Sequence, residues 1–485
     1  MTEQSPTTVA ARTDLRTEVD TTARGSSSPT SSPTSSPFRG TPPASAPDEA
    51  RTEPTFGELA ARLHDRLSHG LFALLVAVVA VEPVVMQFLR RNVVDRRFMP
   101  PTHDVAGPLE AFLHAEYVLC GAALVLVLLR PRVAFLQPGN RLAFGVLAFA
   151  AAAVVSTRLG ERHGDATYAV LTLIVLAALL LLPRPSGSDV ILQVRLWLGV
   201  YVYGSLLAVV AAPDWAMVPI QNGALDPAGE PRLYGLADHP NHLAPLAVLF
   251  VVLAIVGSGR RWHRIANGLA GLVVILLTGT LTALAALVVS GGVVVVAHRF
   301  WEQSWFGWRA RIGAGVGLVG AIAILASSRP EFGKGWHVLL SADGRTTIWR
   351  AALRIFADYP VFGYGPYVFD EQARLRYLGP QMANLDSAHS QYLQAFAQGG
   401  VVLGGALIVL VVCMISAARR RGSLLGRTGA VATALVLVTT MLTEVVLRAS
   451  VPSPFFFLQA AVFLAVLAEG VGRQTVPEQS RSFSG

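Results

Sequence analysis

The sequence predicts an all-α integral membrane protein with about 12 transmembrane helices and a large external loop that contains a surface helix. Of its 485 residues 53% are hydrophobic and 14% are charged, which leaves too little polar surface for a soluble globule. The apolar residues also fall in blocks of about 17–25, each long enough to cross a bilayer as a helix. Blocks of this length exclude an outer-membrane barrel, whose strands show a weaker alternating pattern.

The predicted spans are separated by short loops, except at two places where the loops are long. The spans are 70–89, 110–129, 142–157, 167–183, 189–212, 243–257, 263–279, 281–298, 310–327, 394–417, 427–446 and 454–470. Before them, residues 1–60 are rich in Ser and Pro and are predicted to form a disordered cytoplasmic tail. Residues 61–327 contain predicted helices 1–9 and an external loop at 213–242. Residues 328–393 form a large external loop with catalytic motifs, and residues 394–470 contain helices 10–12. Residues 471–485 are a second cytoplasmic tail.

Arginines between the spans predict the orientation of the chain. Loops such as "GSGRRWHR" and "ARRRGSLLGR" are basic, so the positive-inside rule makes them and both termini cytoplasmic. The stretch "RRNVVDRRFMPP" after the first span has the opposite bias. The formal net charge of +8 therefore reflects topology and contact with the lipid bilayer, and it does not predict nucleic-acid binding.

Most of the candidate chemistry lies in the two long external loops. The first contains "PRLYGLADHPNHLAPLAVLF", and the second contains "DGRTTIWRAALRIF" and "DSAHSQYLQ". Arginines beside a bilayer are suited to a lipid-linked phosphate or diphosphate, because a guanidinium group binds phosphate oxygens in pairs and keeps its charge. The predicted catalytic residues are His389, Arg232 and Arg345, and the candidates for donor or acceptor binding are Asn241, His239, Arg350 and Gln391.

His389 is predicted to act as a base. Ser387 is a plausible N-cap for the tenth span, which would place His389 in the first helical turn. The positive end of the helix dipole disfavours a charged imidazole there, and a neutral imidazole can take a proton. The competing interpretation makes this histidine a polar cap on a membrane helix.

Other features favour structural roles. In "TTIWRAALRIFADY", four apolar residues recur at helical spacing and predict a helix along the membrane surface, namely Ile348, Trp349, Leu353 and Phe356. Arg350 and Arg354, four apart, also fit snorkelling from such a helix. Gly399 and Gly400 are expected to permit close helix packing, and Glu444 is expected to pair with Arg448.

No Walker A, HExxH, CxxC or EF-hand pattern occurs in the sequence, so we predict neither a metal site nor a cofactor. The sequence does not indicate an oligomeric state.

The motifs "RLYGLADHPNHLA", "GRTTIWRAALRIFADYPVFGYGPYVF" and "AHSQYLQAFAQGGVVLG" resemble those of the O-antigen ligase and polymerase family. The resemblance implies a helical glycosyltransferase fold and a polyprenyl-diphosphate-linked glycan as donor, with a carbohydrate or lipid-glycan as acceptor. It also implies an inverting transfer without metal or nucleotide. Arg232, Arg345 and His389 would correspond to the family's functional arginines and histidine. Ser390 stands where the family often has Asn.

Several alternatives remain open from the sequence. The shared motifs do not separate a ligase from a polymerase that extends the glycan on the same carrier, or from a transferase to protein hydroxyls. A transporter or flippase of lipid-linked glycans would also have about 12 helices. Such a transporter is expected to show broken helices at the membrane midplane, whereas the polar residues here collect outside the predicted spans.

Overall fold

The computed structural model describes residues 55–93, 140–163, 167–182, 187–219, 231–257, 260–301, 345–379, 387–420, 424–447 and 454–468, with scattered positions between 111 and 126. Helices make up most of these residues, and a two-stranded sheet accompanies them. In chain order the elements are α1 Phe56–Val93, α2 Asn140–Leu159, α3 Thr167–Leu181, α4 Gly187–Ala211, α5 Pro213–Ala216, β1 Met217–Pro219, β2 Pro231–Leu233, α6 Pro240–Val256, α7 Arg261–Thr278, α8 Leu281–Trp301, α9 Arg345–Asp358, α10 Glu371–Tyr377, α11 Gln391–Arg419, α12 Leu424–Thr443 and α13 Pro454–Ala468.

The helices agree with the predicted spans wherever the structure describes the chain. Each predicted span overlaps one helix, apart from 110–129 and 310–327, which lie wholly or mainly outside the described residues. Within the described part, 5 helices are long and apolar enough to cross a membrane, and three shorter apolar helices accompany them, Pro240–Val256, Leu281–Val296 and Phe455–Ala468. The total of about 12 spans remains a prediction.

The two predicted tails fall largely outside the described part of the chain. Residues 1–54 and 469–485 are not described, so disorder there stays a prediction. Helix α1, however, begins at Phe56, inside the stretch 1–60. The sequence "FGELAARLHDRL" is rich in good helix formers and runs into the first apolar block, which explains the early start.

Helix α6 lies at the centre of the bundle. It is apolar all round, and almost all of its residues are buried, as expected for a helix with no solvent-facing stripe. It packs against α4, α7, α8, α12 and α13. At its start Pro240 takes the first helical position, and the side chain of the N-cap residue His239 accepts a hydrogen bond from Asn241 N. The first turn of α6 is thereby fixed at one end of the bundle, which we call the site end.

The hairpin β1–β2 positions the first long loop at the site end. Its strands pair antiparallel, with Val218 opposite Arg232. After β2 the backbone turns at Gly235, where φ is +53°. A side chain there would collide with Ser205 of α4, whose Oγ accepts a hydrogen bond from Leu236 N. This close approach requires glycine.

Helix α9 confirms the helix predicted in the large loop, but its buried face is only partly the predicted one. The buried residues are Ile348, Ala351, Ala352 and Ile355, whereas Leu353, which the apolar spacing assigns to the buried stripe, is 51% exposed. The reason is the close packing of α9 against α11, which favours small side chains at the contact.

Gly399 and Gly400 allow close packing as predicted, and they also break helix α11, which the sequence pattern does not predict. Gly400 has φ +59° and ψ −154°, a conformation that essentially only glycine adopts. The break frees backbone groups, and the turn at 360–365 satisfies them: Tyr364 N donates to Ala397 O at 2.9 Å, and Val401 N donates to Pro360 O at 2.8 Å. The turn thus locks the first part of α11 to the end of α9.

Candidate active site

Three helices bring polar side chains together around Glu444, which directly follows α12. Its Oε1 accepts hydrogen bonds from Asn241 Nδ2 of α6 at 2.8 Å and from Arg345 Nη2 of α9 at 3.1 Å. The Glu444 side chain is only 7% exposed and that of Arg345 is 18% exposed. A carboxylate this deeply buried requires a cation and hydrogen-bond donors, and both are present.

The segment 444–447 is held in a non-helical conformation by side chains from neighbouring helices. Leu447 N donates to Gln391 Oε1 at 2.6 Å, and Gln459 Nε2 donates to Val446 O at 2.6 Å. Arg345 Nη1 donates to Thr443 O at 2.5 Å, at the end of α12. These contacts satisfy backbone groups that a helix end leaves without partners, and they fix the Glu444 carboxylate.

His389 lies beside this carboxylate. Its Nδ1 is 3.7 Å from Glu444 Oε2, and its side chain is 34% exposed. Nδ1 is buried and has no hydrogen-bond partner among the residues that the structure describes. The 3.7 Å separation allows a charge interaction without a hydrogen bond. The Nδ1 edge of the imidazole therefore lies against a buried carboxylate, and the side chain as a whole is partly exposed to solvent.

The backbone of His389 differs from the predicted helical turn. Helix α11 begins at Gln391 with Ser390 as its N-cap, so Ser387 is not the cap and His389 precedes the helix. Its φ is +46°, an uncommon conformation for a residue other than glycine. The preceding residue is anchored on both sides: Gln394 Oε1 accepts from Ala388 N at 2.8 Å, and Trp349 Nε1 donates to Ala388 O at 3.1 Å. Strain of this kind is retained where the surroundings enforce it, often at functional sites.

The charges around Glu444 favour its ionised form. Burial by itself raises the pKa of this carboxyl group, but the imidazole of His389 and the guanidinium of Arg345 outweigh burial and hold the pKa below its usual range. Glu444 therefore carries a negative charge at neutral pH.

A second cluster of titratable side chains lies at the start of α6. His242 Nδ1 is 2.5 Å from Asp238 Oδ1. Partial burial raises the pKa of Asp238, but the contact with His242 outweighs it, and the net shift is downward. Burial, reinforced by His242, lowers the pKa of His239 to about 4, so His239 is neutral at pH 7. The ring of His242 packs on Phe455 with centroids 4.1 Å apart.

The remaining predicted arginines lie further from Glu444. Arg232, in β2, passes beside Gly279 at the turn between α7 and α8. The next residue, Thr280, donates to Asn241 Oδ1 at 3.4 Å, which connects this turn to the cluster. Arg350 is exposed on α9. Neither guanidinium group has a hydrogen-bond or ion-pair partner in the described part of the chain.

The structure thus brings Arg345, His389 and Asn241 together around Glu444. Gln391 supports the same segment through Leu447. The sequence interpretation missed the role of Glu444, because it paired this residue with Arg448, which lies outside the described residues. The available signal was an ionisable residue at the end of a membrane span, which is a functional candidate by default. Within the described residues, no group of three or more His, Cys, Asp and Glu side chains is arranged to hold a metal ion.

Apolar helices and a charged cluster at one end of the bundle define a multi-pass membrane protein whose polar site adjoins the membrane. The family model described as O-antigen ligase matches residues 265–408. This match confirms the resemblance to the O-antigen ligase family and indicates a glycan-transferring membrane enzyme. Both Arg345 and His389 lie within the matched residues. A comparison with curated proteins gave no match.

Proposed function

We propose that this protein transfers a glycan from a polyprenyl-diphosphate carrier to a hydroxyl group of an envelope acceptor. The transfer takes place at the outer face of the cytoplasmic membrane, with the site end outside and both termini in the cytoplasm. The reaction inverts the anomeric carbon and uses neither a metal ion nor a nucleotide. The observation that carries this proposal is the cluster of Arg345, His389 and Glu444, in which Arg345 and His389 lie within the residues matched by the family.

The donor supplies its own leaving group. A polyprenyl diphosphate is a weak base and departs without a protein acid, but it gains negative charge as the glycosidic bond breaks. Arg232 and Arg350 have unused hydrogen-bond donors, and Arg345 has N–H groups beyond the two that hold Thr443 and Glu444. Cations placed where charge develops stabilise the transition state.

The acceptor needs a base, because an alcohol is a poor nucleophile until its proton is removed. With Nδ1 facing Glu444, His389 keeps Nε2 for the acceptor hydroxyl. Proton transfer to Nε2 creates an imidazolium ion 3.7 Å from a carboxylate, and this arrangement stabilises the charge that forms. The acceptor oxygen attacks the anomeric carbon from the face opposite the diphosphate, so the C–O bond to the carrier breaks as the new glycosidic bond forms.

Ligase and polymerase share this chemistry and differ in the acceptor. A ligase joins the glycan to a different envelope molecule, whereas a polymerase joins it to another carrier-linked glycan. We favour the ligase, the function that the matched family description states.

The test is transfer by the purified protein in nanodiscs. The assay supplies an undecaprenyl-diphosphate-linked glycan and a panel of octyl glycosides, with EDTA and without nucleotide. We expect a glycosylated product with inverted anomeric configuration. Movement of the lipid-linked glycan across the membrane without product would support a transporter instead. Elongation of the carrier-linked glycan without transfer to any glycoside would support a polymerase.

A further inference from the structure

Most polar side chains at the site end are already bonded within the protein. Asn241 and Arg345 donate to Glu444, and Gln391 accepts from the backbone of Leu447. These contacts connect α6, α9 and α11 to the segment after α12. Their main effect is to hold the site together, and they leave fewer hydrogen-bonding groups for a substrate.

Several side chains at or near this end keep hydrogen-bonding capacity that no described residue uses, and four of them matter here. Two are the guanidinium groups of Arg232 and Arg350, which suit an anionic donor. The other two are the imidazoles of His389 and His242, each of which directs Nδ1 toward a carboxylate. A glycosyl transfer involves one reacting hydroxyl, but a carbohydrate acceptor carries several. The second imidazole therefore has no role in the chemistry already assigned.

The geometry of His242 fixes which of its nitrogens is open. Nδ1 is engaged by Asp238 at 2.5 Å, which places the proton of the neutral ring on Nδ1 and the lone pair on Nε2. Packing of the ring on Phe455 prevents it from turning. The side chain is 22% exposed, and Nε2 has no hydrogen-bond partner among the described residues.

The position of His242 connects it to the catalytic cluster. It follows Asn241, which is bonded to Glu444. Both His242 and His389 act electrostatically on His239, as does the Glu444 carboxylate. His242 also lies beside His239, with ring centroids 5.7 Å apart, so both open imidazoles belong to the site end.

We propose that His242, oriented by Asp238, is an acceptor-binding residue whose Nε2 accepts a hydrogen bond from a non-reacting hydroxyl of the carbohydrate acceptor. This proposal rests on the proposed function, in which His389 takes the proton of the reacting hydroxyl. A diphosphate is a poor alternative ligand for His242, because the Asp238 carboxylate lies against its ring and repels a second anion. Binding of a neutral hydroxyl has no such cost.

The test compares acceptor kinetics of His242 variants in the nanodisc assay, with one octyl glycoside that the parent protein uses and its monodeoxy derivatives. In the double variant His242→Phe with Asp238→Asn, the ring volume is kept and no buried carboxylate loses its partner. We expect the KM for the acceptor to rise about 5- to 10-fold, the effect of one neutral hydrogen bond. The donor KM and the kcat at saturating acceptor should change less than about 2-fold. One monodeoxy acceptor should show the same KM in both proteins, since it lacks the hydroxyl that His242 binds.

Asp238→Asn alone gives a sharper result. The amide can donate to Nδ1, which moves the ring proton to Nε2 and converts that nitrogen from acceptor to donor. We expect the acceptor KM to rise while the thermal unfolding midpoint stays close to that of the parent. The control is His263→Phe, because His263 is exposed on α7 and lies at the opposite end of that helix from Gly279.

Two results would overturn this role for His242. If the double variant keeps the parent KM for every acceptor, His242 does not bind the acceptor. If kcat falls about 10²-fold or more with an unchanged KM, His242 belongs to the chemical step. Failure of the proposed function is distinct from both, since the parent protein itself would then transfer to no glycoside.

Discussion

Replacing Glu444 by Gln removes one charge and keeps the shape of the side chain. The amide oxygen can still accept from Asn241 and Arg345, but the charge interactions with Arg345 at 3.1 Å and with His389 across 3.7 Å are lost. The interaction with His389 is the one that bears on proton transfer. At that distance a pair of unit charges is worth about 4 kcal/mol with an effective dielectric constant of about 20, and about 1 kcal/mol with one of about 80. The partly exposed His389 lies between these limits.

If the imidazolium forms in the transition state, the loss of this interaction lowers kcat by about 5-fold to 10³-fold. A change in the KM for the donor would report separately on Arg345, which pairs with Glu444 and is proposed to bind the diphosphate. The assay is single-turnover transfer with purified protein, and the control is Glu371→Gln, an exposed carboxylate at the start of α10.

Glu444→Gln should also change the thermal stability of the protein in a pH-dependent way. Because the folded-state pKa of Glu444 is below its usual value, the carboxylate contributes stability above the unfolded pKa of about 4.3. That contribution is lost as the pH falls through the folded pKa. The difference in thermal midpoint between parent and Glu444→Gln should therefore persist at neutral pH and narrow only below about pH 4. A folded Glu444→Gln protein with the parent kcat would refute the role of this charge in proton transfer.

Four further outcomes follow from the same geometry. His389→Gln should slow transfer by about 10²- to 10⁴-fold with donor binding nearly intact. A near-normal rate would return this residue to a structural role. Arg345→Ala should lower transfer by about 10²-fold or more. Arg345→Lys should restore little activity, because lysine lacks the guanidinium fork that donates to Thr443 and Glu444 together. Normal transfer by a folded Ala variant would contradict the assignment. Gly400→Ala should lower the thermal unfolding midpoint, because the added Cβ would lie 2.3 Å from Val361 O. The control is Gly405→Ala in the same helix, where the added Cβ meets open space. Equal midpoints would contradict the requirement for glycine at the break in α11. A cysteine near Gly335 should react with an impermeant thiol reagent in intact cells and one near Gly422 should not, and the opposite labelling would reverse the orientation.

The sequence supports prediction of the helices and of four residues of the candidate site, Arg345, His389, Asn241 and Gln391. Apolar block length alone is sufficient for most of the helices, since lipid requires every backbone group to bond within the segment. Arg345 and His389 could be predicted because they lie in polar motifs of a long loop beside a predicted span. Glu444 could not be recognised as their partner, because it is separated from Arg345 by 99 positions in the sequence. Only the folded structure shows which cation this carboxylate contacts.

The break in α11 and the buried face of α9 were also beyond the sequence pattern. "QAFAQGGVVLGG" continues an apolar run, so periodicity predicts an unbroken helix, and the turn that replaces the lost bonds lies about 35 residues earlier. On α9, a pattern based on large apolar residues assigns leucine and phenylalanine to the buried side. The structure instead buries alanines there, because α9 approaches α11 closely.

The break in α11 also sets the depth of the site relative to the bilayer. From 401 to 419 the helix has 19 residues and therefore a length of about 28 Å, close to the hydrocarbon thickness of about 30 Å. We therefore expect the residues before Gly400 to lie beyond the hydrocarbon core, in the headgroup layer. Under the proposed function, an isoprenoid carrier with its chain among the lipid tails would carry its diphosphate in this same layer. The donor would then be bound at its own depth, without being lifted from the membrane.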